Sequence, residues 1–411
     1  MRMKRLGFAL LVLLLMGTML LALVACDSDD AEEVDAGDAT TVEDTDTDSA
    51  VVVDEWVLPQ LSVTSGPVAF AGEPAAWGAQ LAVDEINAAG GIRGVPVKLD
   101  LYDTAFDTAK AVSQATGLVD DSLVILGPMD APSGEACAPI YFENKVPAVC
   151  AVSNAAIREA SAPYTCFYMP DNADDKAVLA WIDENPDIET VVAFGDPSDP
   201  GAYDGYVLAK NALEGAGVTY VKEIEVTAGQ LDMATPAVQA IDADVDGYVC
   251  ILRQEEMAKL GIELDKRGMT EGRRIYMTFA ALGTGLLDLA QGTLDEAYGY
   301  NNFDPNATNA EYVAFADAFS ADHEGQALVI NTPVTHYNAV YAIAGVMEDL
   351  EITGDPAKLA EERQAIAEAL NTSREFDGLQ GPFSWIDGQL QAAVYLMQIQ
   401  GDKIVTVGPI G

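Results

Sequence analysis

The chain has 411 residues, of which 66 are acidic and 21 are basic, so its formal net charge at pH 7 is −45. So few cations argue against nucleic acid as a partner and against adsorption to an anionic membrane surface, since both are bound through Lys and Arg. Half of the residues are hydrophobic, which is enough to build the cores of about two or three domains.

The first 25 residues have the layout of an export signal. Three cations lie within the first five residues, and an apolar stretch over 6–24 ends at Ala25 and Cys26. A stretch of this length also suffices for a retained membrane-spanning helix. However, Leu-Val-Ala-Cys at 23–26 resembles a bacterial lipobox, in which the chain is cut before a cysteine that carries lipid. We therefore expect a signal peptide over 1–25 and lipidation of Cys26, with a retained helix as the alternative.

The segment after the cysteine is strongly acidic. Residues 27–55 contain 13 acidic residues, no basic residue and no aromatic residue, and they show no periodicity. Like-charge repulsion and the lack of apolar surface prevent such a segment from forming a packed core. We expect residues 26–55 to be a lipidated, disordered linker that holds a folded body near the membrane.

From Trp56 onward, short apolar runs alternate with amphipathic segments. The runs that predict strands cover 95–101, 123–126, 146–152, 191–194, 248–252 and 275–279. Helical spacing predicts helices over 74–89, from 257 to 268, and over 307–322, 336–351 and 358–371, and the end of the chain reads as a hairpin of 391–400 with 403–407. This alternation predicts an α/β fold of parallel sheets covered by helices, with ligands at the carboxyl ends of the strands.

The sequence offers little support for catalysis or for a bound metal. It contains no G-x-S-x-G nucleophile elbow and no phosphate-binding P-loop, and neither of its two histidines, His323 and His336, lies in a catalytic motif. Residues 242–247 begin like a calcium loop, but Arg253 occupies the twelfth position, where a carboxylate is required. We therefore expect no enzymatic activity, no metal and no cofactor.

Four cysteines follow Cys26, and three complete pairings of them are possible. Disulfides can form in an exported protein. Cys150 and Cys166 bracket a loop, and we favour a disulfide between them. Cys250 lies within an apolar run, where a buried free thiol is the usual state.

Residues 65–104 resemble the start of the branched-chain amino-acid-binding family, the leucine/isoleucine/valine-binding-like solute-binding lipoproteins of ABC importers. The signature consists of Ser-Gly-Pro at 65–67, a gap, Leu-Ala-Val-Asp-Glu-Ile-Asn-Ala-Ala-Gly-Gly-Ile at 81–92, and then a strand and an Asp. Later segments agree in order, so that the resemblance covers about 56–411.

This resemblance implies the periplasmic binding protein type I fold. In that fold, two Rossmann-like lobes are joined by a three-crossing hinge, and a ligand cleft lies between them. The first lobe is expected to take 56–172 and about 304–383. The second is expected to take 173–303 and about 384–411.

The resemblance also implies binding residues on the first lobe, which in this family holds a solute carboxylate with backbone N–H groups and hydroxyls. The matching positions are Ala131, Ser133, Val152, Ser153 and Asn154, and simple helix capping is the alternative role for the two serines. Phe70 stands where the family often has an aromatic residue.

On the second lobe, Tyr203 retains the family's aromatic residue, whereas Arg253 and Gln254 replace a Tyr position. Ala280 stands where amino-acid binders carry a carboxylate for the ammonium group, and a buried ammonium without an anion is costly. Either Asp130 supplies that charge, or the solute lacks an ammonium group and Arg253 binds a second anionic group. A solvent-facing cation is the alternative role for Arg253.

Together these features predict an extracytoplasmic, lipid-anchored, monomeric protein on the outer face of the cytoplasmic membrane. We expect it to deliver a small amino-acid-like or other polar organic solute to the permease of an ABC importer. A ligand-sensing receptor domain is one alternative, since the same fold serves signalling, and an exported hydrolase is another.

Overall fold

The computed structural model describes residues 50–410, apart from 67, 153, 169–172, 197–199, 228, 231, 242 and 283, and these residues belong to one compact unit. The predicted signal peptide, Cys26 and most of the acidic linker lie outside the described residues. Within the described part of the chain, no helix combines the length and the apolar character needed to cross a membrane.

The first sheet has five parallel strands in the order β2-β1-β3-β4-β5. Its strands are β1 (Trp56–Ser62), β2 (Val97–Asp103), β3 (Ile125–Leu126), β4 (Ala148–Cys150) and β5 (Thr165–Phe167). The connecting helices are α1 (Ala69–Ala88), α2 (Thr108–Leu118), α3 (Ala131–Asn144) and α4 (Ala155–Ser161).

The second sheet has seven strands in the order β15-β14-β10-β9-β8-β6-β7. Its parallel strands are β6 (Thr190–Gly195), β7 (Thr219–Glu225), β8 (Gly247–Ile251), β9 (Arg274–Met277) and β10 (Tyr298–Asn301). The connecting helices are α5 (Asp174–Glu184), α6 (Pro200–Gly215), α7 (Ala234–Ala240), α8 (Gln254–Asp265) and α9 (Thr284–Ala290). The predicted closing hairpin is formed by β14 (Val394–Gln400) and β15 (Lys403–Ile410), which complete this sheet.

Between these parts, the chain returns to the first sheet. This segment contains α10 (Ala310–Asp322), α11 (Thr332–Asp349), α12 (Leu359–Leu370) and a small sheet of β11 (Phe376–Gly378), β12 (Gly381–Ile386) and β13 (Gln389–Gln391). Buried residues of α11 and α12 share one core with the first sheet. The predicted α/β fold class with two Rossmann-like lobes is confirmed.

The boundary expected near residue 383 falls within β12 and is too early. Trp385 and Leu390 belong to the core of the first sheet, and the Trp385 indole N–H donates to the carbonyl of Phe167 at the end of β5 (2.8 Å). The small sheet therefore packs with the first lobe, and the chain enters the second lobe at β14.

Helix α1 begins at Ala69 rather than at Pro74. The sequence favours Pro74 as a start because proline suits the first turn of a helix. In the structure Pro74 lies in the second turn, where it lacks the N–H that would donate to the carbonyl of Phe70. The earlier start places Phe70 in the first turn, beside the loop that follows β1.

The predicted disulfide between Cys150 and Cys166 is absent, because all four described cysteines are buried free thiols. In the parallel pairing of β4 with β5, Cys166 lies opposite Val149, and Cys150 lies opposite Phe167. Since side chains alternate between the two faces of a sheet, the two thiols point to opposite faces. The buried free state expected for Cys250 is the state that the structure has.

Candidate functional site

Two loops at the carboxyl end of the first sheet are joined by direct contacts. The backbone N–H of Gly127 donates to the carbonyl of Val149 (2.6 Å), and that of Ala151 donates to the carbonyl of Pro128 (2.8 Å). Gly134 in α3 lies against the second loop, where an added Cβ would stand 1.5 Å from the carbonyl oxygen of Ala151. The absence of a side chain at Gly134 therefore permits the two loops to approach.

A third loop, between β1 and α1, is organised by the carboxylate of Asp103 at the end of β2. Its Oδ1 accepts from the backbone N–H groups of Thr64 (3.0 Å), Ser65 (3.2 Å) and Ala105 (2.9 Å), and its Oδ2 accepts from the Ser65 hydroxyl (2.6 Å). These bonds, led by that from Ser65 and aided by Lys110, lower the pKa of Asp103 to about 2. At neutral pH the carboxylate of Asp103 is therefore ionised, and its hydrogen bonds hold the loop that leads to Phe70.

We expect Asp103→Asn to lower the free energy of unfolding at pH 7, because the ionised carboxylate that accepts these hydrogen bonds is lost. The decrease should be only about 1 kcal/mol, because the side chain is partly exposed to solvent that screens its charge. A lowered carboxyl pKa stabilises the folded state above about pH 4, and this stabilisation is lost as the pH falls towards 2. Urea unfolding of the wild type and the variant at pH 7, 5 and 3 measures the difference in their free energies of unfolding. The difference should shrink at pH 3, whereas Asp54→Asn, at an exposed position two residues before β1, should cause little change at any pH.

The structure brings most of the predicted first-lobe residues together at these loops. Asp130 precedes α3, and Ala131 and Ser133 lie in its first turn, next to the loop that contains Val152 and Asn154. Ser153 lies outside the described residues. Phe70 lies on the β1–α1 side, where 63% of its surface is exposed.

Helix caps use one of the backbone donors expected to hold a solute carboxylate, and they also use the side chain of Asn154. The N–H of Ser133 donates to Oδ1 of Asp130 (2.9 Å), and the side chain of Asn154 accepts from Ala156 (3.0 Å) and Ile157 (3.2 Å). A solute carboxylate at α3 would have to displace the carboxylate of Asp130. The Oδ2 of Asp130 and the hydroxyl of Ser133 are buried without a hydrogen-bond partner among the described residues. Both groups therefore remain able to form hydrogen bonds with a solute.

The predicted second-lobe residues all follow carboxyl ends of strands in the second sheet. Tyr203 lies in α6 after β6 with 46% of its surface exposed, and Arg253 and Gln254 lie where α8 begins after β8. Ala280 lies in a short 3-10 turn, Phe279–Ala281, after β9. Arg253 and Ala280 are exposed, and Gln254 is half-buried. These positions therefore lie along one edge of the sheet.

Sequence reasoning missed the partners of Tyr203. Tyr203 stacks on Tyr206, whose hydroxyl donates to Glu223 at the carboxyl half of β7. The aromatic pair at a spacing of three residues on one helix face was available from the sequence. The contact with Glu223 was not, because it depends on the pairing of β6 with β7.

His336 is a buried residue in the second turn of α11. Its Nδ1 lies 2.8 Å from the carbonyl of Thr332, and its ring stacks on Tyr168 at 3.8 Å between centroids. Burial lowers the pKa of His336 to about 4, so that its imidazole is neutral at pH 7. Among the described residues, no group of His, Cys, Asp and Glu is arranged to hold a metal ion.

Three chain segments connect the parts built on the two large sheets. Tyr168 follows β5, Asn302 follows β10, and Ala393 precedes β14, and these three residues line one cavity of about 50 Å³. The protein therefore has two α/β lobes that are joined by three adjacent crossings, and polar side chains lie at the carboxyl edges of both sheets. This arrangement defines a two-lobed ligand-binding protein.

Comparison with known proteins identifies the family. Residues 56–403 match the family model described as periplasmic binding protein, and the chain belongs to this family. It is 27% identical over 329 residues to a Leu/Ile/Val-binding protein of Rhizobium johnstonii, covering 76% of this chain and 82% of the relative. It is 26% identical over 315 residues to a leucine-, isoleucine-, valine-, threonine- and alanine-binding protein of Pseudomonas aeruginosa, covering 73% and 80%. The predicted resemblance is confirmed, and the chain is a solute-binding protein of an extracytoplasmic family.

Solved structures share the fold. An isoleucine complex of a branched-chain amino-acid transporter substrate-binding protein from Streptococcus pneumoniae aligns with a TM-score of 0.73 at 22% identity, covering 86% of this chain and 100% of that one. A solute-binding protein of R. palustris in complex with benzoate aligns with a TM-score of 0.71 at 18% identity, covering 87% and 96%. The fold is thus compatible with solutes that carry an ammonium group and with solutes that lack one.

Proposed function

We propose that this chain is a lipid-anchored extracytoplasmic protein that captures a small amino-acid-like or other polar organic solute for an ABC importer. The observation that carries this proposal is the position of the candidate residues, which follow carboxyl ends of strands in two lobes joined by three crossings. The bound solute contacts both lobes and thereby stabilises the closed state. It is then released unchanged. The protein acts as a monomer, tethered beside the permease by the acidic linker.

A thermal-shift screen of the full chain tests the capture of a solute. Amino acids, aromatic carboxylates, amides and polyamines are the classes to compare. A solute that binds only the native state stabilises it by about 2.7 kcal/mol at a hundred times its dissociation constant, which raises the unfolding temperature clearly. If members of all four classes leave that temperature unchanged at millimolar concentration, the proposed capture function is wrong.

The role of Arg253 separates two classes of solute. If its guanidinium binds an anionic group, Arg253→Ala should weaken carboxylate solutes at least about tenfold, because charge-assisted hydrogen bonds contribute more than neutral ones. Neutral amides should be unaffected. Calorimetric titration measures both, with Lys266→Ala, an exposed position just after the same helix, as the control. Equal affinities in all three proteins would identify Arg253 as a surface cation only.

The lipid anchor is tested at Cys26. We expect the wild-type protein to sediment with membranes and its mature form to carry a mass increase that corresponds to acyl chains, since two or three such chains anchor firmly. Cys26→Ser should release the protein from the membrane fraction. A Cys26→Ser protein that stays membrane-bound would indicate that the apolar segment over 6–24 is retained as a helix.

A further inference from the structure

A groove of about 490 Å³ lies at the carboxyl ends of β6 and β7, beside helix α6. Ligands of open α/β sheets bind outside the carboxyl ends of strands. Tyr203, one of the predicted solute contacts, lines this groove. The groove therefore extends the candidate site towards the edge of the second sheet, in a region to which the sequence assigned no other residue.

One wall of the groove is aromatic and held in place. The rings of Tyr203 and Tyr206 are stacked with centroids 6.4 Å apart and an interplanar angle of 18°. The hydroxyl of Tyr206 donates to Glu223, and Gly195 at the end of β6 leaves room for the ring, since a Cβ there would stand 3.0 Å from Cδ2 of Tyr206. Tyr206 thus supports Tyr203, which remains almost half exposed beside the groove.

The groove is also acidic. Its lining contains three carboxylates, those of Asp196, Glu223 and Glu225, and one ammonium group, that of Lys210. Lys210 and Tyr206 both donate to Glu223, and these two hydrogen bonds lower the pKa of Glu223. Lys210 therefore compensates Glu223, while Asp196 is buried and Glu225 is exposed at the end of β7. The exposed carboxylate of Glu225 favours a cation over an anion in this groove.

An aromatic face beside a carboxylate is the chemistry that recognises an organic ammonium group, which interacts with the ring quadrupole and with the anion together. We propose that this groove binds the cationic end of the solute. This inference rests on the proposed capture function and names its substrate class, a solute with a primary or quaternary ammonium group. Glu225 and the two tyrosines take the part that the family resemblance had assigned to a carboxylate at position 280, where this chain has Ala280.

The sheet order sets the length of such a solute. Arg253 follows β8, Ala280 follows β9, and the groove adjoins β7, which is separated from β8 by β6. Neighbouring strands are about 4.8 Å apart, so that β7 and β8 are separated by about 10 Å. A solute that reaches from Arg253 into the groove is therefore extended, with its ammonium group several methylene groups from its anionic group.

The test compares four probes on the full chain: choline, 6-aminohexanoate, hexanoate and L-leucine. Choline and 6-aminohexanoate should raise the unfolding temperature, and hexanoate should bind at least about fivefold more weakly than 6-aminohexanoate, because it lacks the ammonium group. Added salt should weaken 6-aminohexanoate binding, since charged contacts at an exposed groove are screened.

Two variants assign the effect to the groove. Tyr203→Leu removes the ring but keeps an apolar side chain, and Glu225→Gln removes the charge at nearly constant shape. Each should weaken 6-aminohexanoate about fivefold. Glu271→Gln, which makes the same change at an exposed position near the amino end of β9, should not alter affinity. The unfolding temperatures of the free variants verify that each one folds.

The outcomes separate this inference from the proposed function. If choline and 6-aminohexanoate fail to bind, or bind equally well to Tyr203→Leu and Glu225→Gln, the groove is not a cation site, whatever other solutes are captured. If hexanoate or L-leucine binds tightly and independently of both variants, the capture function stands and the groove proposal is overturned. If no solute of any class binds, both are wrong.

Discussion

Gly134→Ala should lower the free energy of unfolding by about 3 kcal/mol, because the new methyl group has no space. An ideal Cβ at this position lies 1.5 Å from the carbonyl oxygen of Ala151 and 2.7 Å from its carbonyl carbon. Both are backbone atoms, so that relief requires α3 and the loop after β4 to separate. Thermal unfolding measures the effect, and a decrease of about 4 °C is expected for a chain of this size.

The same change should impair solute binding. The contact between Gly134 and Ala151 sets the distance between the turn that carries Asp130 and Ser133 and the loop that carries Val152. Binding groups must be held within about 0.5 Å of their productive positions, and we therefore expect a loss of affinity of at least about tenfold. Titration of the variant with the solute found in the screen measures this loss.

Gly117→Ala provides the matched control. Gly117 is exposed near the end of α2, and a Cβ built there meets no atom within 4 Å. Alanine in a helix is favoured over glycine by up to about 1 kcal/mol, so this variant should be unchanged or slightly more stable. If Gly134→Ala behaved like Gly117→Ala in both measurements, the close approach of the two loops would not be essential.

The fold was predictable because its strands are short apolar runs separated by helical segments. The runs predicted at 191–194 and 248–252 correspond to β6 and β8, which lie side by side in the interior of the second sheet. Strands buried on both faces read as continuous apolar runs, which the sequence displays directly. The loops that follow such strands are then the expected positions of binding residues, and Arg253, which the family resemblance singled out, follows β8.

The details that the sequence did not reveal depend on register and on distant pairing. The disulfide between Cys150 and Cys166 was favoured from loop length, yet a shift of one residue in the pairing of β4 with β5 places the two thiols on opposite faces. Similarly, the contact of Tyr206 with Glu223 requires β7 to pair with β6. No local pattern encodes either relation, because both are set by neighbouring strands rather than by neighbours in the chain.

The second large effect is expected at Asp174, the first residue of α5. Its carboxylate is buried and accepts from the hydroxyls of Tyr276 (2.7 Å), Thr278 (3.0 Å) and Tyr300 (3.3 Å). It thereby joins the start of the second lobe to β9 and β10, and Thr278 immediately precedes the turn that carries Ala280. Burial raises the pKa of Asp174 to about 7 although the three hydroxyls oppose the shift.

This raised pKa makes the stability of the folded state depend on pH. Below about pH 4 the carboxyl group is protonated in the folded and the unfolded chain alike. Between about pH 4 and pH 7 only the folded chain retains the proton. The contribution of Asp174 to the free energy of unfolding therefore falls as the pH rises, by up to about 4 kcal/mol in total. Above pH 7 both states are ionised and the contribution is constant.

Asp174→Asn should remove this dependence, because the amide has nearly the shape of the protonated acid and does not titrate. We expect the variant to match the wild type near pH 4 and to exceed it in free energy of unfolding by a margin that grows up to about pH 7. Urea unfolding between pH 4 and pH 8 measures the difference, in which contributions of the other carboxylates cancel. Asp183→Asn, at an exposed position of the same helix, should leave the pH profile unchanged. Parallel profiles for Asp174→Asn and the wild type would show that the three hydroxyls hold Asp174 ionised in the folded protein throughout this range.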